Sequence, residues 1–346
     1  MRDVIPSIER WLAEGQRVAL ATVVSTLGTA PRAVGAKMAV ASGGGIAGSV
    51  SGGCIEGAVY DACQSAMRSG QAALHRFGVA DETAWEVGLA CGGTIEVLVE
   101  PLAGREASYA ALRDALAAEQ AVALATVAAG PQGAGARLLI RADGGLLGDL
   151  GPHIPTDLVV AQAQALLAQA QCGMRAFPSA QGELQVFIET YSPPPTLLIV
   201  GAVHIAIPLI HYAHQLGFRA VVIDARSAFA TPERFAHADE LVLAWPDEAL
   251  PARITTNSYV ALLTHDPKLD DPALLVALPS PARYVGALGS KKTHAQRVAR
   301  LAEQGLPPEQ LARLHAPIGL PLGGRTPAEI ALSIMAEIVA ERNRPA

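Results

Sequence analysis

The chain has 346 residues, with 26 Lys and Arg against 32 Asp and Glu, and the resulting net charge of −6 excludes nucleic-acid binding through bulk positive charge. Hydrophobic residues make up 51% and charged residues 17%, a composition that excludes intrinsic disorder and predicts a soluble, folded protein. Single cores stop growing near ~250–300 residues, so about two domains are expected. The start, Met1-Arg2-Asp3-Val4-Ile5-Pro6, lacks the apolar core of a signal peptide. The most apolar stretch, 197–210, is broken by Gly201, His204 and Pro208 and is too short to span a membrane. Cys54, Cys63, Cys91 and Cys172 show neither a disulfide framework nor C-x-x-C spacing, which points to the cytoplasm and away from zinc.

The first half repeats itself. Val18-Ala-Leu-Ala-Thr-Val23 recurs as Val122-Ala-Leu-Ala-Thr-Val127, and Gly35 to Gly48 recurs as Gly135 to Gly148. Ile95-Glu-Val-Leu-Val-Glu100 is echoed by Leu184-Gln-Val-Phe-Ile-Glu189. Each copy reads as strand, glycine-punctuated hairpin, strand, helix and closing strand, so residues 1–192 are expected to form one α+β domain of two degenerate copies.

The copies differ where chemistry is expected. Copy one carries Ser51-Gly52-Gly53-Cys54-Ile55-Glu56 ahead of a predicted helix over 55–67, and Cys91-Gly92-Gly93 ahead of a strand. Copy two has Gly151-Pro152-His153-Ile154 and Gln181-Gly182-Glu183 instead. A cysteine at a helix start favours the thiolate, a nucleophile and soft-metal ligand, and paired glycines form a concavity suited to an anion. Thiols with a purely structural role would be expected in both copies. Copy one therefore reads as the site and copy two as scaffold. Cys63 and Cys172, each placed in a helical stretch, read as packing residues.

Pro193-Pro194-Pro195 predicts a stiff linker. Beyond it, residues 197–202, 220–223, 241–244, 259–264 and 284–288 read as buried parallel strands alternating with helices, a Rossmann-like doubly wound sheet over 196–346. Thr326-Pro327-Ala328-Glu329 is a capping box opening the last helix. After the first strand comes Gly201-Ala202-Val203-His204; Val203 stands where a dinucleotide-binding turn needs glycine, and Pro208 requires the next helix to start late or kink. Asp224 is placed like a ribose-binding acid. Thr264-His265-Asp266-Pro267 and His204 fall at the carboxyl edge of the sheet, where ligands of such folds bind. Gly289-Ser290-Lys291-Lys292-Thr293 opens a helix with two lysines, an arrangement suited to a phosphate or to an ordinary cap.

The chain resembles the XdhC/CoxI accessory factors of xanthine dehydrogenase and carbon monoxide dehydrogenase. The resemblance rests on Ser51-Gly-Gly-Cys54-Ile-Glu56, Cys91-Gly-Gly93, Gly201-Ala-Val-His204, Ile223-Asp224-Ala-Arg226, Thr264-His-Asp-Pro267, Gly286-Ala-Leu-Gly-Ser290 and the segment from Thr326 to Ile338. It spans nearly the whole chain, and departs from the family at Val203, which argues against nucleotide binding there. The resemblance implies a chaperone that binds the molybdenum cofactor (molybdopterin), holds it during sulfuration by a cysteine desulfurase, and inserts it into an apo molybdenum hydroxylase. Cys54 and Cys91 would contact the molybdenum or its sulfur. Ser51, Gly52, Gly53, Glu56, Gly92, Gly93, Gly201, His204, Asp224, Arg226, His265, Asp266, Ser290 and Lys291 complete the expected binding set, and a homodimer is expected. Two other classes fit parts of the sequence: an NAD(P)-dependent oxidoreductase, weakened by Val203, and a sulfurtransferase carrying persulfide on Cys54. A docking scaffold without any small ligand is the remaining reading.

Overall fold

The sequence repeat is a repeat of sheets. The computed structural model describes residues 1–28, 32–78, 93–131, 133–151, 154–179 and 181–344, in two units, Met1–Pro193 and Pro194–Ala346. The first unit runs α1 (Ile5–Ala13), β1 (Val18–Leu27), β2 (Lys37–Ala41), β3 (Ile46–Gly48), α2 (Glu56–Ser69), β4 (Ala73–Phe77), β5 (Thr94–Pro101) and α3 (Glu106–Ala117). It continues with β6 (Val122–Ala129), β7 (Arg137–Arg141), β8 (Leu146–Asp149), α4 (Thr156–Ala168), β9 (Gly173–Ser179) and β10 (Gly182–Tyr191). The two antiparallel sheets have the same order, β3-β2-β1-β5-β4 and β8-β7-β6-β10-β9. Their registers also match: Thr22 faces Lys37 in one, and Thr126 faces Arg137 in the other.

Strand alternation gives each sheet two buried faces. Ala19, Ala21 and Val23 pack with Val59 and Cys63 of α2, while Val24 and Leu98 of the first sheet meet Ala128 and Phe187 of the second. A strand covered on both sides needs an unbroken apolar run, which is why both copies of the Val-Ala-Leu-Ala-Thr-Val motif read that way. The sheet-to-sheet face also buries two reciprocal ion pairs. Lys37 Nζ on β2 reaches Glu189 Oε2 on β10 at 2.9 Å, and Arg137 Nη2 on β7 reaches Glu100 Oε2 on β5 at 2.7 Å. Each carboxylate comes from the opposite copy, so the pairs tie the duplicates together. A cavity of about 10 Å³, no larger than one water, lies among these residues.

The second unit runs β11 (Thr196–Val200), α5 (Ala206–Gln215), β12 (Arg219–Ile223), α6 (Pro232–Phe235), β13 (Glu240–Val242), α7 (Pro246–Ala249), β14 (Ser258–Leu262) and α8 (Pro267–Ala277). It ends with β15 (Tyr284–Ala287), α9 (Lys291–Glu303), α10 (Pro308–Leu311), β16 (Leu314–His315) and α11 (Pro327–Arg342). All strands are parallel in the order β13-β12-β11-β14-β15-β16, the doubly wound Rossmann arrangement. Leu197 and Ile199 of β11 face the core shared with α5 and α11, and Leu198 and Val200 face α8 and α9. α5 starts late, with Pro208 in its first turn. Both bonds of the capping box form at Thr326 and Glu329. β16 is a sixth strand that five apolar runs did not predict; its two residues are too few to show a period. Among the described residues, no helix is long and apolar enough to cross a membrane.

Candidate functional site

The connection from β3 to α2 is built around one carboxylate. Glu56, at the first position of α2, turns back under residues 49–53. Its Oε1 accepts from Ser49 Oγ at 2.6 Å and Ser51 N at 3.0 Å. Its Oε2 accepts from Gly53 N at 2.8 Å and from Ser51 Oγ. Ser49 Oγ accepts from Gly52 N at 2.9 Å, and Ser51 Oγ accepts from Ile55 N at 3.1 Å. Burial alone would raise the Glu56 pKa; the hydrogen bonds from Ser49 and Ser51 outweigh it and hold the carboxyl at about 2. Gly52 and Gly53 take φ of 76° and 126°, values that favour glycine, and a Cβ on either would meet nothing within 4 Å among the described residues. The result is a fixed, open loop that ends in the exposed thiol of Cys54.

Of the expected binding set, Ser51, Gly52, Gly53 and Cys54 are brought together here. Glu56 lies beneath them with all its acceptor positions engaged inside the chain, so it builds the loop that displays Cys54. Cys91 and Gly92 lie outside the described residues; Gly93 is buried directly before β5. Cys63 is a packing residue, its thiol pushed up to about 12 by burial. Cys172 is not in a helix: it occupies the turn between α4 and β9, half-buried, with Sγ 3.8 Å from Val34 O. The helical pattern ran out at Ala168, before the cysteine.

In the second unit, the carboxyl ends of β11 and β14 mark the switch point of the sheet. A Cβ on Gly201 would stand 2.6 Å from Thr264 Cγ2, so glycine is required by the close approach of these two connections. Asp224, with its side chain wholly buried, accepts from Ala202 N at 2.8 Å and from Arg226 N, Nε and Nη2 at 2.9, 2.9 and 2.7 Å. Burial raises its pKa and the Arg226 hydrogen bonds more than reverse that, leaving the carboxyl below its ordinary value. All its acceptor positions are committed, so it clamps the Gly201 loop in the place expected of a ribose ligand. The Arg226 guanidinium lies 4.3 Å over the Phe229 ring.

His204 and His265 are both exposed at the sheet edge, and His265 has φ of 60°. Asp266 caps α8 by accepting from Lys268 N at 3.0 Å. Ser290 caps α9 by accepting from Thr293 N at 3.1 Å, with Lys291 and Lys292 exposed beside it. Sequence reasoning missed the network beneath this edge. Arg297 Nη2 on α9 donates to Asp270 Oδ2 of α8 at 2.9 Å, and Asp270 Oδ1 accepts from Thr264 Oγ1 at 2.5 Å. An arginine within a basic helix carries no sequence signal that it is buried.

A duplicated α+β unit displaying a thiol on a two-glycine loop, followed by a Rossmann unit whose Asp224 is held by its own chain, defines a two-unit α/β protein. Comparison with known proteins gives its family. Residues 11–78 and 115–178 match the XdhC and CoxI family, and residues 197–338 match the XdhC Rossmann domain. The chain belongs to the XdhC/CoxI family. It is 27% identical over 343 residues to a probable xanthine dehydrogenase subunit of Bacillus subtilis, covering 98% of this chain and 97% of that protein. It is 28% identical over 335 residues to the molybdenum cofactor insertion chaperone PaoD of Escherichia coli, covering 96% and 85%. A crystal structure described as a xanthine dehydrogenase from Bacillus halodurans superposes with a TM-score of 0.78 at 27% identity, covering 99% of this chain and 96% of that one. These matches support an accessory role to xanthine dehydrogenase in molybdenum cofactor maturation.

Proposed function

We propose that this chain binds the molybdenum cofactor as cargo, holds it while a cysteine desulfurase supplies its terminal sulfur, and inserts it into an apo molybdenum hydroxylase in the cytoplasm. The carrying observation is the loop at 51–54: a soft sulfur donor stands in solvent on backbone fixed by Glu56. A thiolate suits molybdenum or its sulfur, and an exposed thiol ligand permits release where an enclosed set would retain. Cys91 is the expected second thiol. The relative named as an insertion chaperone, aligned over most of both chains, supports this reading over the dinucleotide one, for which Val203 and the occupied Asp224 are unsuited.

The test is protein purified anaerobically from a host that makes the cofactor, with molybdenum quantified by mass spectrometry and pterin by fluorescence after oxidation. Both are expected in equal, near-stoichiometric amounts in the wild type and lost in Cys54→Ala. Full molybdenum occupancy in Cys54→Ala would overturn the role of that thiol. A persulfide found on Cys54 without bound molybdenum would replace cargo holding by sulfur transfer.

A further inference from the structure

The second unit buries an arginine whose donors are only partly used. The Arg297 side chain is 2% exposed. Its Nη2 donates to Asp270 Oδ2 at 2.9 Å and to Leu288 O at 3.0 Å. Nε and Nη1 are buried and have no partner among the described residues. An unsatisfied buried donor is destabilising, more so on a charged group, so a native structure retaining one needs a reason. The position of Nη1 supplies it. A Cβ on Gly289 would lie 3.6 Å from Nη1, so the free amino group sits beneath the turn that leads from β15 into α9.

That turn already has the features of an oxyanion cradle. Gly289 takes φ of 151°, and a Cβ there would meet Cβ and Cγ2 of Thr293 at 3.4 Å as well as Nη1 of Arg297. α9 is 13 residues long, and Lys291 and Lys292 occupy its first two positions, where backbone N–H groups have no carbonyl behind them. The Thr293 N–H is spent on Ser290 Oγ. The helix dipole and both lysines add positive potential at the mouth. The turn follows a strand of the parallel sheet at its carboxyl edge, where doubly wound folds take ligands.

We propose that the turn at 288–292 is a phosphate-binding site, in which Nη1 of Arg297 grips the oxyanion from below while the N–H groups of Lys291 and Lys292 hold it from the helix start. The phosphate belongs to a pterin or to a nucleotide, two sources with one chemistry. The site deepens the cargo reading by locating the cargo's phosphate end, and is tested independently of it.

The experiment is thermal unfolding of the full chain titrated with inorganic phosphate, with chloride at matched ionic strength as control. A ligand that binds only the folded state raises the midpoint with concentration. The wild type is expected to show a saturable rise that chloride does not give. Arg297→Lys keeps a cation against Asp270 but loses the planar fork, and should weaken phosphate at least tenfold. Lys291→Pro removes one N–H and one charge at the first helical position, where proline is tolerated, and Ser290 already has the extended backbone a following proline requires, with φ −80° and ψ 165°. It should weaken phosphate at least threefold, and it decides the matter should Arg297→Lys fail to fold. No phosphate-specific rise in the wild type, or undiminished binding in a folded variant, overturns the site. A mononucleotide binding tenfold tighter than phosphate, and weakened by the same variants, supports the site with a nucleotide as source; equal binding supports it with the pterin phosphate. In the wild type, bound molybdenum without a phosphate-specific rise would overturn this site alone, and a phosphate-specific rise without bound molybdenum would overturn the cargo reading alone.

Discussion

The two copies of the first unit share a sheet order and a register, and each supplies the cation of one buried ion pair and the carboxylate of the other, yet they differ in the connection from third strand to helix. In copy one, Glu56 gathers four hydrogen bonds from residues 49–53 and displays Cys54. In copy two, the described part of the connection has Gly151 N donating to Asp149 Oδ1 at 2.8 Å, and α4 begins after Pro155 with no side-chain cap. The sheets fold with either connection, so the fold does not require the Glu56 arrangement. On the proposed function, that arrangement serves the display of the Cys54 thiol.

The sharpest way to break the comparison is to attack what the copies share. Glu100→Ala and Glu189→Ala each strand a buried cation, Arg137 or Lys37, and breaking a buried pair costs ~3–5 kcal/mol. The two losses should be of similar size by denaturant unfolding. A cost confined to one variant would show that the copies are not equivalent supports.

Glu56→Ala comes next. It removes four hydrogen bonds from a half-buried loop, an expected loss of ~1–3 kcal/mol, and should abolish cargo retention as fully as Cys54→Ala. Because its folded pKa is about 2 against an ordinary 4.5, Glu56 contributes stability that is fully present above 4.5 and is lost as pH falls towards 2. Unfolding measured between pH 5 and 2 should therefore fall more steeply in the wild type than in Glu56→Gln. Parallel curves would remove Glu56 from its structural role. The counterpart in copy two, Asp149→Ala, loses one exposed hydrogen bond, ~0.5–1.5 kcal/mol at most, and should leave molybdenum retention intact.

The smallest stability effect is at Cys54 itself. The side chain is exposed, so Cys54→Ala should change stability by less than ~0.5 kcal/mol while eliminating cargo. Thiol labelling read by peptide mass spectrometry gives the matching contrast: Cys54 should react in the folded protein, and Cys63, with its thiol held at about 12, only on unfolding.

The sequence by itself determined the architecture. The duplicated apolar run at 18–23 and 122–127 could be buried only as strands covered on both faces. Short apolar strands alternating with helices after Pro195 left little choice but a parallel doubly wound sheet, and the Thr326 capping box is a local signal complete in four residues. It also marked the loop at 51–54, because two glycines before a cysteine at a helix start have a local chemical meaning. Only the tertiary structure decided where side chains spend their hydrogen bonds. Glu56 and Asp224 look like ligands in a linear motif; in the fold, each carboxylate is consumed by neighbouring N–H and O–H groups and shapes a loop. Lys37 and Glu189 are 152 residues apart and meet only because two sheets stack. Arg297 is one of several basic residues on a helix until packing takes it out of water and leaves Nη1 without a partner among the described residues. Local propensity and periodicity are written in neighbouring residues, whereas burial and the satisfaction of polar groups are properties of residues brought together from distant parts of the chain.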